Sequence, residues 1–264
     1  MKTIYHFSGA GNDFVVIDGR EGDVSAFREI PRIQALCKQH KTDGLMILGS
    51  GDAEVDFTME FYNPDGSGGM MCGNGGRCIV AFADYLGIRP AAGGVFLFRA
   101  PDGLHTGEIL ARPEDGLWEV RIKMIDVQGI TPMLGGYFLN TGTRHFVKFV
   151  PDVEQVDIDT EGKALRWNEA FAPVGTNVNF VHVAPDGLHV RTFEKGVEGE
   201  TLACGTGLTA SALVAHHAGV PTATPGSYRL RARQDWLSVN FTPGADEKFT
   251  DVYLTGPARL LEIL

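Results

Sequence analysis

Cys72 and Cys204 lie in two copies of one short pattern, half a chain length apart. Met71-Cys72-Gly73-Asn74-Gly75-Gly76 leads into a helix-like run from Arg77 to Leu86, and Ala203-Cys204-Gly205-Thr206-Gly207 leads into another from Leu208 to Ala218. The first N–H groups of a helix have no intrahelical partner and carry partial positive charge. A thiol held there has a lowered pKa and a larger thiolate fraction. The same N–H groups can cradle a carboxylate, and glycine lets the backbone come close. Each half would supply a base and part of an anion site. Two such halves suit one kind of chemistry, in which a proton leaves one face of a carbon and another is returned to the opposite face. Two buried cysteines beside turn glycines is the plainer reading, and it accounts for one such pattern better than for two.

The elements that must position these residues can be read from periodicity and turn chemistry. Ile4 to Phe7 and Phe14 to Asp18 read as strands across the tight loop Ser8-Gly9-Ala10-Gly11-Asn12-Asp13. Ile30 to His40 has helical spacing, with Pro31 tolerated in the first turn. Strands are expected at Leu45 to Leu48, Val55 to Tyr62, Val95 to Ala100, Gly107 to Ala111 and Trp118 to Met124. In the second half they are expected at Phe138 to Asn140, Phe146 to Val150, Asn177 to Val183, Leu188 to Phe193, Tyr228 to Ala232, Leu237 to Phe241, Asp251 to Leu254 and Arg259 to Ile263. Glu154 to Asn168 gives no clear pattern. The cysteine helices are apolar on most faces, as central helices are.

Strands, helix, strands, twice over, does not fit the alternation of a parallel α/β sheet. It fits an α+β fold of two pseudo-symmetric domains, each a strand-rich barrel or roll around a central apolar helix. The expected division is residues 1–119 with 256–264, holding Cys72, and residues 120–255, holding Cys204. Beyond the cysteine loops no repeat is visible in the sequence.

The 264 residues, 44% of them hydrophobic, are enough for two cores. A net charge of −10 argues against nonspecific nucleic-acid binding and leaves a small anionic substrate open. Met1 to Ala10 reads as a strand followed by glycine, without the basic-then-apolar pattern of a secretion signal. No apolar run approaches the roughly 20 residues needed to span a bilayer. A cytoplasmic protein with no membrane partner is expected, and its reducing surroundings would suit thiols.

Cys37, Cys72, Cys78 and Cys204 form no Cys-x-x-Cys pair and no zinc pattern, so no metal is expected. Cys37 and Cys78 read as core residues. Gly73-Asn74-Gly75 begins like a dinucleotide fingerprint, but Cys78 stands where its last glycine belongs. No lysine sits in a Schiff-base setting. No cofactor is expected. His216 and His217 read as core or helix-end residues.

Ser8-Gly9-Ala10-Gly11-Asn12-Asp13-Phe14, Asn63-Pro64-Asp65-Gly66-Ser67, Met71 to Cys78, Gly175-Thr176-Asn177-Val178-Asn179-Phe180, Glu200 to Gly207 and Leu254-Thr255-Gly256-Pro257-Ala258 together resemble the diaminopimelate epimerase family. The likeness runs in consistent order from Ser8 to the C-terminus. It implies a cofactor-independent isomerase that interconverts LL- and meso-diaminopimelate on the route to lysine and peptidoglycan. It also implies two domains that close on the substrate, a C-terminal strand returning to the first of them, and a homodimer. One cysteine would act as thiolate base and the other as thiol acid, with the roles exchanged in reverse. By position, Asn12, Asn63 and Asn177 would bind polar groups of the substrate. Gly73, Asn74, Gly205 and Thr206 would meet its reacting carboxylate. Glu194 would take the distal ammonium, and Lys195 would stand by the distal carboxylate. His145 and Glu194 would tune the thiols.

Three stretches depart from the family pattern: His40-Lys41-Thr42-Asp43-Gly44, Gly142-Thr143-Arg144-His145, and Glu194-Lys195-Gly196, where the family usually has Glu-Arg-Gly. Two of them fall where the distal end of diaminopimelate would be held. Lysine is a point charge and cannot reproduce the bidentate fork of arginine. Arg144, next to Thr143, would be the guanidinium in its place. Two alternatives stay open: a related racemase with another side-chain specificity, such as a histidine racemase, and a catalytically silent amino-acid-binding protein.

Overall fold

The computed structural model describes residues 2–91 and 93–264; Met1, which the sequence reading includes in the first strand, and Ala92 lie outside them. The chain forms two compact units, Met1–Ile122 with Gly256–Leu264, and Lys123–Thr255. Among the described residues no helix is long and apolar enough to cross a membrane.

In the first unit, β1 (Ile4–Gly9) and β2 (Asn12–Asp18) form a hairpin. Its two-residue turn, Ala10-Gly11, has positive φ at both positions, which is the twist a tight hairpin requires. Helix α1 (Ile30–His40) carries the chain to β3 (Gly44–Ser50), which lies parallel to β2 and antiparallel to β4 (Phe57–Tyr62). After α2 (Gly73–Tyr85) come β5 (Val95–Ala100), parallel to β4, then β6 (Gly103–Glu114) and β7 (Leu117–Lys123). The last residues of the C-terminal strand pair with both β1 and β7 and close the ring. Cys78, Ile79, Val80, Ala81, Phe82 and Ala83 of α2 are fully buried within this unit. Each large apolar side chain among them contributes about 1.5–3 kcal/mol.

The second unit begins with β8 (Val127–Gln128), β9 (Thr131–Met133) and β10 (Gly136–Asn140), which turns into β11 (Arg144–Phe149). Short helical turns, including α3 (Lys163–Arg166), occupy the stretch that had no clear pattern. They are short and change hydrogen-bonding pattern from one to the next, so no long periodicity builds up. They lead to β12 (Asn177–Ala184), parallel to β11, and its hairpin partner β13 (Gly187–Glu194). Next come β14 (Gly199–Thr201), helix α4 (Gly205–His217), β15 (Ser227–Arg231), parallel to β13, β16 (Trp236–Pro243) and β17 (Lys248–Ile263). Hairpin, helical connection, hairpin, cysteine turn, buried helix, hairpin and strand thus occur once in each unit. This is the α+β fold of paired strand-rich units around an apolar helix.

Beyond shifts of a few residues at strand ends, the sequence reading differs at the two cysteine helices and at the last strand. Both cysteine helices start earlier, so the glycines lie inside the first turn instead of in a loop. An Ala Cβ at Gly76 would stand 2.7 Å from the Met71 sulfur, and packing outweighs the helix cost of glycine, about 1 kcal/mol each. Asp251–Leu254 and Arg259–Ile263 belong to one strand, β17, that runs through Gly256-Pro257. Pro257 faces Glu119 of β7, while the β1 ladder ends at Ser8↔Arg259, so that ladder loses no N–H at the proline. Half of β17 therefore belongs to each unit.

Candidate active site

Cys72 is the N-cap of α2, with extended backbone, and its sulfur accepts the Gly75 N–H at 3.2 Å. An N-cap normally uses a side-chain oxygen for this bond; here sulfur takes it, which favours thiolate. Cys72 is exposed. The buried Asn74 donates through Nδ2 to Asn12 Oδ1, and its own Oδ1 accepts from Arg77 Nη2 at 2.9 Å. Arg77, fully buried, also donates to the carbonyls of Gly73 and Pro257. The β1–β2 hairpin approaches this turn closely: a Cβ at Gly9 would lie 2.8 Å from the Asn74 carbonyl oxygen and 3.0 Å from Cys78 Sγ. Asn12 and Asn74, far apart in sequence, are thus brought together beside Cys72. Asn63 closes its own turn, donating to Ser67 Oγ at 3.0 Å.

Cys204 is the N-cap of α4 and is buried. Its sulfur lies 3.5 Å from Thr206 Oγ1. Thr206 Oγ1 is in turn 2.9 Å from His145 Nε2 and 3.2 Å from Thr143 Oγ1. Thr141 Oγ1 donates to the Thr206 carbonyl at 2.9 Å. The three-residue turn between β10 and β11, Thr141-Gly142-Thr143, therefore stands against the α4 start as the β1–β2 turn stands against α2. Glu194 ends β13 and accepts from Thr201 Oγ1 at 2.8 Å. Lys195 is exposed, and its backbone N–H donates to Asn177 Oδ1 at 2.8 Å. Asn177 Nδ2 donates to the Arg144 carbonyl at 2.9 Å. The Asn177 amide, expected to meet substrate, here ties three segments of the site together.

His145 is fully buried, and burial lowers its pKa from 6.5 to about 3. It is neutral, and its connection to Cys204 runs through Thr206 and carries no positive charge. The folded value lies below the unfolded one, so the unfolded chain takes up the proton first. The stability contribution is complete above about pH 6.5 and is lost as pH falls toward 3. The thermal midpoint should fall across that window, and fall less in His145→Gln, by calorimetry at matched pH values. Cys37 and Cys78 are buried, and burial pushes both thiols up, away from the reactive range and in keeping with core residues.

Arg144 lies on the face of β11 opposite His145. Its guanidinium sits 5.1 Å from the Phe138 ring centroid and donates to the Phe171 carbonyl at 3.2 Å. The structure thus gives it partners other than a distal carboxylate. Arg144→Ala should leave KM for diaminopimelate essentially unchanged and cost about 1 kcal/mol of stability; a steep rise in KM would restore it as a clamp. Lys195→Arg should lower KM, or leave it unchanged, without altering the chemical step.

Asn179 and Gly207 had no role in the sequence reading. Asn179 is two residues beyond Asn177 on β12 and shares its face; a second asparagine at alternating spacing in the strand is the trace it leaves. A Cβ at Gly207 would collide with Asn179 Oδ1 and sit 3.3 Å from His145 Cε1. Gly207→Ala should push α4 off β11 and β12, cost about 1–3 kcal/mol and reduce turnover; an unchanged melting midpoint would contradict the close approach.

Residues 4–92 and 137–261 match the family model described as diaminopimelate epimerase. A diaminopimelate epimerase of Chlorobaculum tepidum is 40% identical over 261 residues, covering 96% of each chain. One of Flavobacterium psychrophilum is 36% identical over 262 residues, covering 98% of this chain and 97% of the relative. Among solved structures, a phenazine biosynthesis protein of the PhzF family from Bacillus anthracis has the same fold, with a TM-score of 0.75 at 12% identity, over 100% of this chain and 98% of that one. Sequence likeness of this extent, with both cysteine turns in place, makes the chain a member of the diaminopimelate epimerase family.

Proposed function

We propose that this chain interconverts LL- and meso-2,6-diaminopimelate without a cofactor, with Cys72 and Cys204 as the two acid–base groups. The observation that carries the reading is the repeated half-site: each unit puts a cysteine at the N-cap of a buried, glycine-rich helix. An α-hydrogen of an amino acid is a very weak acid, so the site must stabilise the carbanion as it forms. Helix N-termini directed at the carboxylate supply fixed dipoles for this, often the largest catalytic contribution. Gly73 and Asn74 of the first unit, and Gly205 and Thr206 of the second, are the N–H donors assigned to it. A single base would return the proton to the face it came from; inversion requires a second group on the other face. Asn12, Asn63 and Asn177 are assigned to substrate polar groups, Glu194 to the distal ammonium, and Lys195 to the distal carboxylate. The product would feed lysine and peptidoglycan synthesis in the cytoplasm, from a homodimer.

A second reading is a racemase of this family with another side chain at the distal end. Thr143 and Lys195 favour it, because neither offers the bidentate fork that suits a carboxylate. A panel of amino acids incubated in deuterium oxide tests both, with incorporation at the α-carbon read by mass spectrometry. Deuterium in diaminopimelate alone supports the first reading. Deuterium only in a monocarboxylate amino acid replaces it with the second. None in any substrate, despite binding, leaves an amino-acid-binding protein.

A further inference from the structure

The hydrogen-bond directions around His145 can be assigned from acceptors that have no choice. Asn179 Nδ2 faces the Phe146 carbonyl at 3.2 Å, and a carbonyl only accepts. Asn179 Oδ1 accepts the Thr192 hydroxyl at 2.9 Å. Turning the amide over would lose the bond to the Phe146 carbonyl and set two carbonyl oxygens against each other, whereas the Thr192 hydroxyl could accept as well as donate. The same Nδ2 lies 3.0 Å from His145 Nδ1, so Nδ1 must accept. A neutral imidazole carries its one hydrogen on the other nitrogen. Nε2–H therefore points at the hydroxyls of Thr206 and Thr143, both 2.9 Å away.

The direction continues to the sulfur. Thr206 Oγ1, which accepts from Nε2–H, keeps its own hydrogen for donation. Its two neighbours are Thr143 Oγ1 at 3.2 Å and Cys204 Sγ at 3.5 Å. A thiolate is the stronger acceptor of the two, since bonds to charged groups are about twice as strong. We propose that Asn179, held by Thr192, is a positioning residue that fixes the Nε2–H tautomer of His145 and so turns the Thr206 hydroxyl toward the Cys204 thiolate. The supporting groups are buried: Asn179 and His145 are 0% exposed and Thr192 is 3% exposed. Little solvent competes for these directions, and low dielectric strengthens each bond. Gly207 is the glycine that lets α4 come near enough for the series to connect.

This inference rests on the assignment of Cys204 as an acid–base group, but its first test is independent of activity. In native protein with 15N-labelled histidine, long-range nitrogen–proton spectra should show His145 with Nε2 protonated and Nδ1 bare. Nδ1 protonated would overturn the proposal, whatever the enzyme does. In Asn179→Leu both tautomers should appear, and kcat should fall about 10- to 100-fold, the range for losing a hydrogen bond to a charged group, with KM little changed. Thr192→Val keeps the shape of the buried side chain and removes only the hydroxyl; it should loosen the tautomer preference and lower kcat less. It decides the matter if Asn179→Leu does not fold. A folded variant with mixed tautomers and native kcat would sink the link to Cys204. If native protein exchanges no α-hydrogen at all, the proposed function fails, while the tautomer assignment still stands or falls by the spectrum.

Discussion

Replacing either Cys72 or Cys204 with alanine is expected to abolish epimerisation while leaving the fold intact. Cys72 is exposed at the start of α2, so its loss removes little packing. Cys204 is buried but small, and alanine in its place leaves only a modest void. General acid–base groups typically contribute about 100- to 10,000-fold to rate, and here each would have no substitute on its own face. The residual chemistry should differ between the variants. A lone thiolate can take the α-proton from one isomer and return a solvent deuteron to the same face. Each variant should therefore exchange the α-hydrogen of one isomer, slowly and without inversion, and the two variants should do so with opposite isomers. Nuclear magnetic resonance of the substrate in deuterium oxide separates exchange from inversion. Substantial inversion by either variant would remove that cysteine from the mechanism. The isomer that still exchanges would also show which cysteine serves which enantiomer.

Thr206→Val should give the second largest loss, up to about 100-fold in kcat, the upper part of the range for losing a hydrogen bond to a charged group. Two effects coincide. The hydroxyl 3.5 Å from Cys204 Sγ is lost, which raises the thiol pKa and lowers its thiolate fraction. The first turn of α4 also loses its tether to His145. Thr206→Ser restores the hydroxyl and should recover most of the rate. The kcat profile of Thr206→Val should require higher pH to reach its plateau, because the thiolate is the form that abstracts the proton. A valine variant with native kcat and an unshifted profile would show that the hydroxyl is a packing feature only.

The cysteine motifs were legible because helix starts are written in local chemistry: a polarizable side chain, then glycines, then an apolar run. Helix α1 was legible to the residue, because Pro31 marks its first turn and apolar spacing marks its face. Most strands were legible to within a few residues, with Gly-containing turns as punctuation. The very short strands at Val127–Gln128, Thr131–Met133 and Gly199–Thr201 were not, being too brief for alternation to register. The stretch from Glu154 to Asn168 stayed unread for the same reason.

What the sequence by itself determined was the chemistry at each helix start: cysteine, glycine, and Asn74 or Thr206, all within a few residues of one another. What only the tertiary structure decided was which distant side chains meet those turns. Asn12 reaches Asn74 because a hairpin with two left-handed turn residues leans on α2 at Gly9. His145 reaches Thr206 because β11 and β12 run parallel in a fixed register, His145 opposite Asn177, beneath the glycine face of α4. Arg144, one residue from His145, faces away because successive strand residues point to opposite sides. Adjacency in sequence put Arg144 beside His145, whereas the period of the strand turned its guanidinium toward Phe138 and Phe171. Contacts across a long chain separation depend on register and packing, and neither is encoded in any single short run of residues.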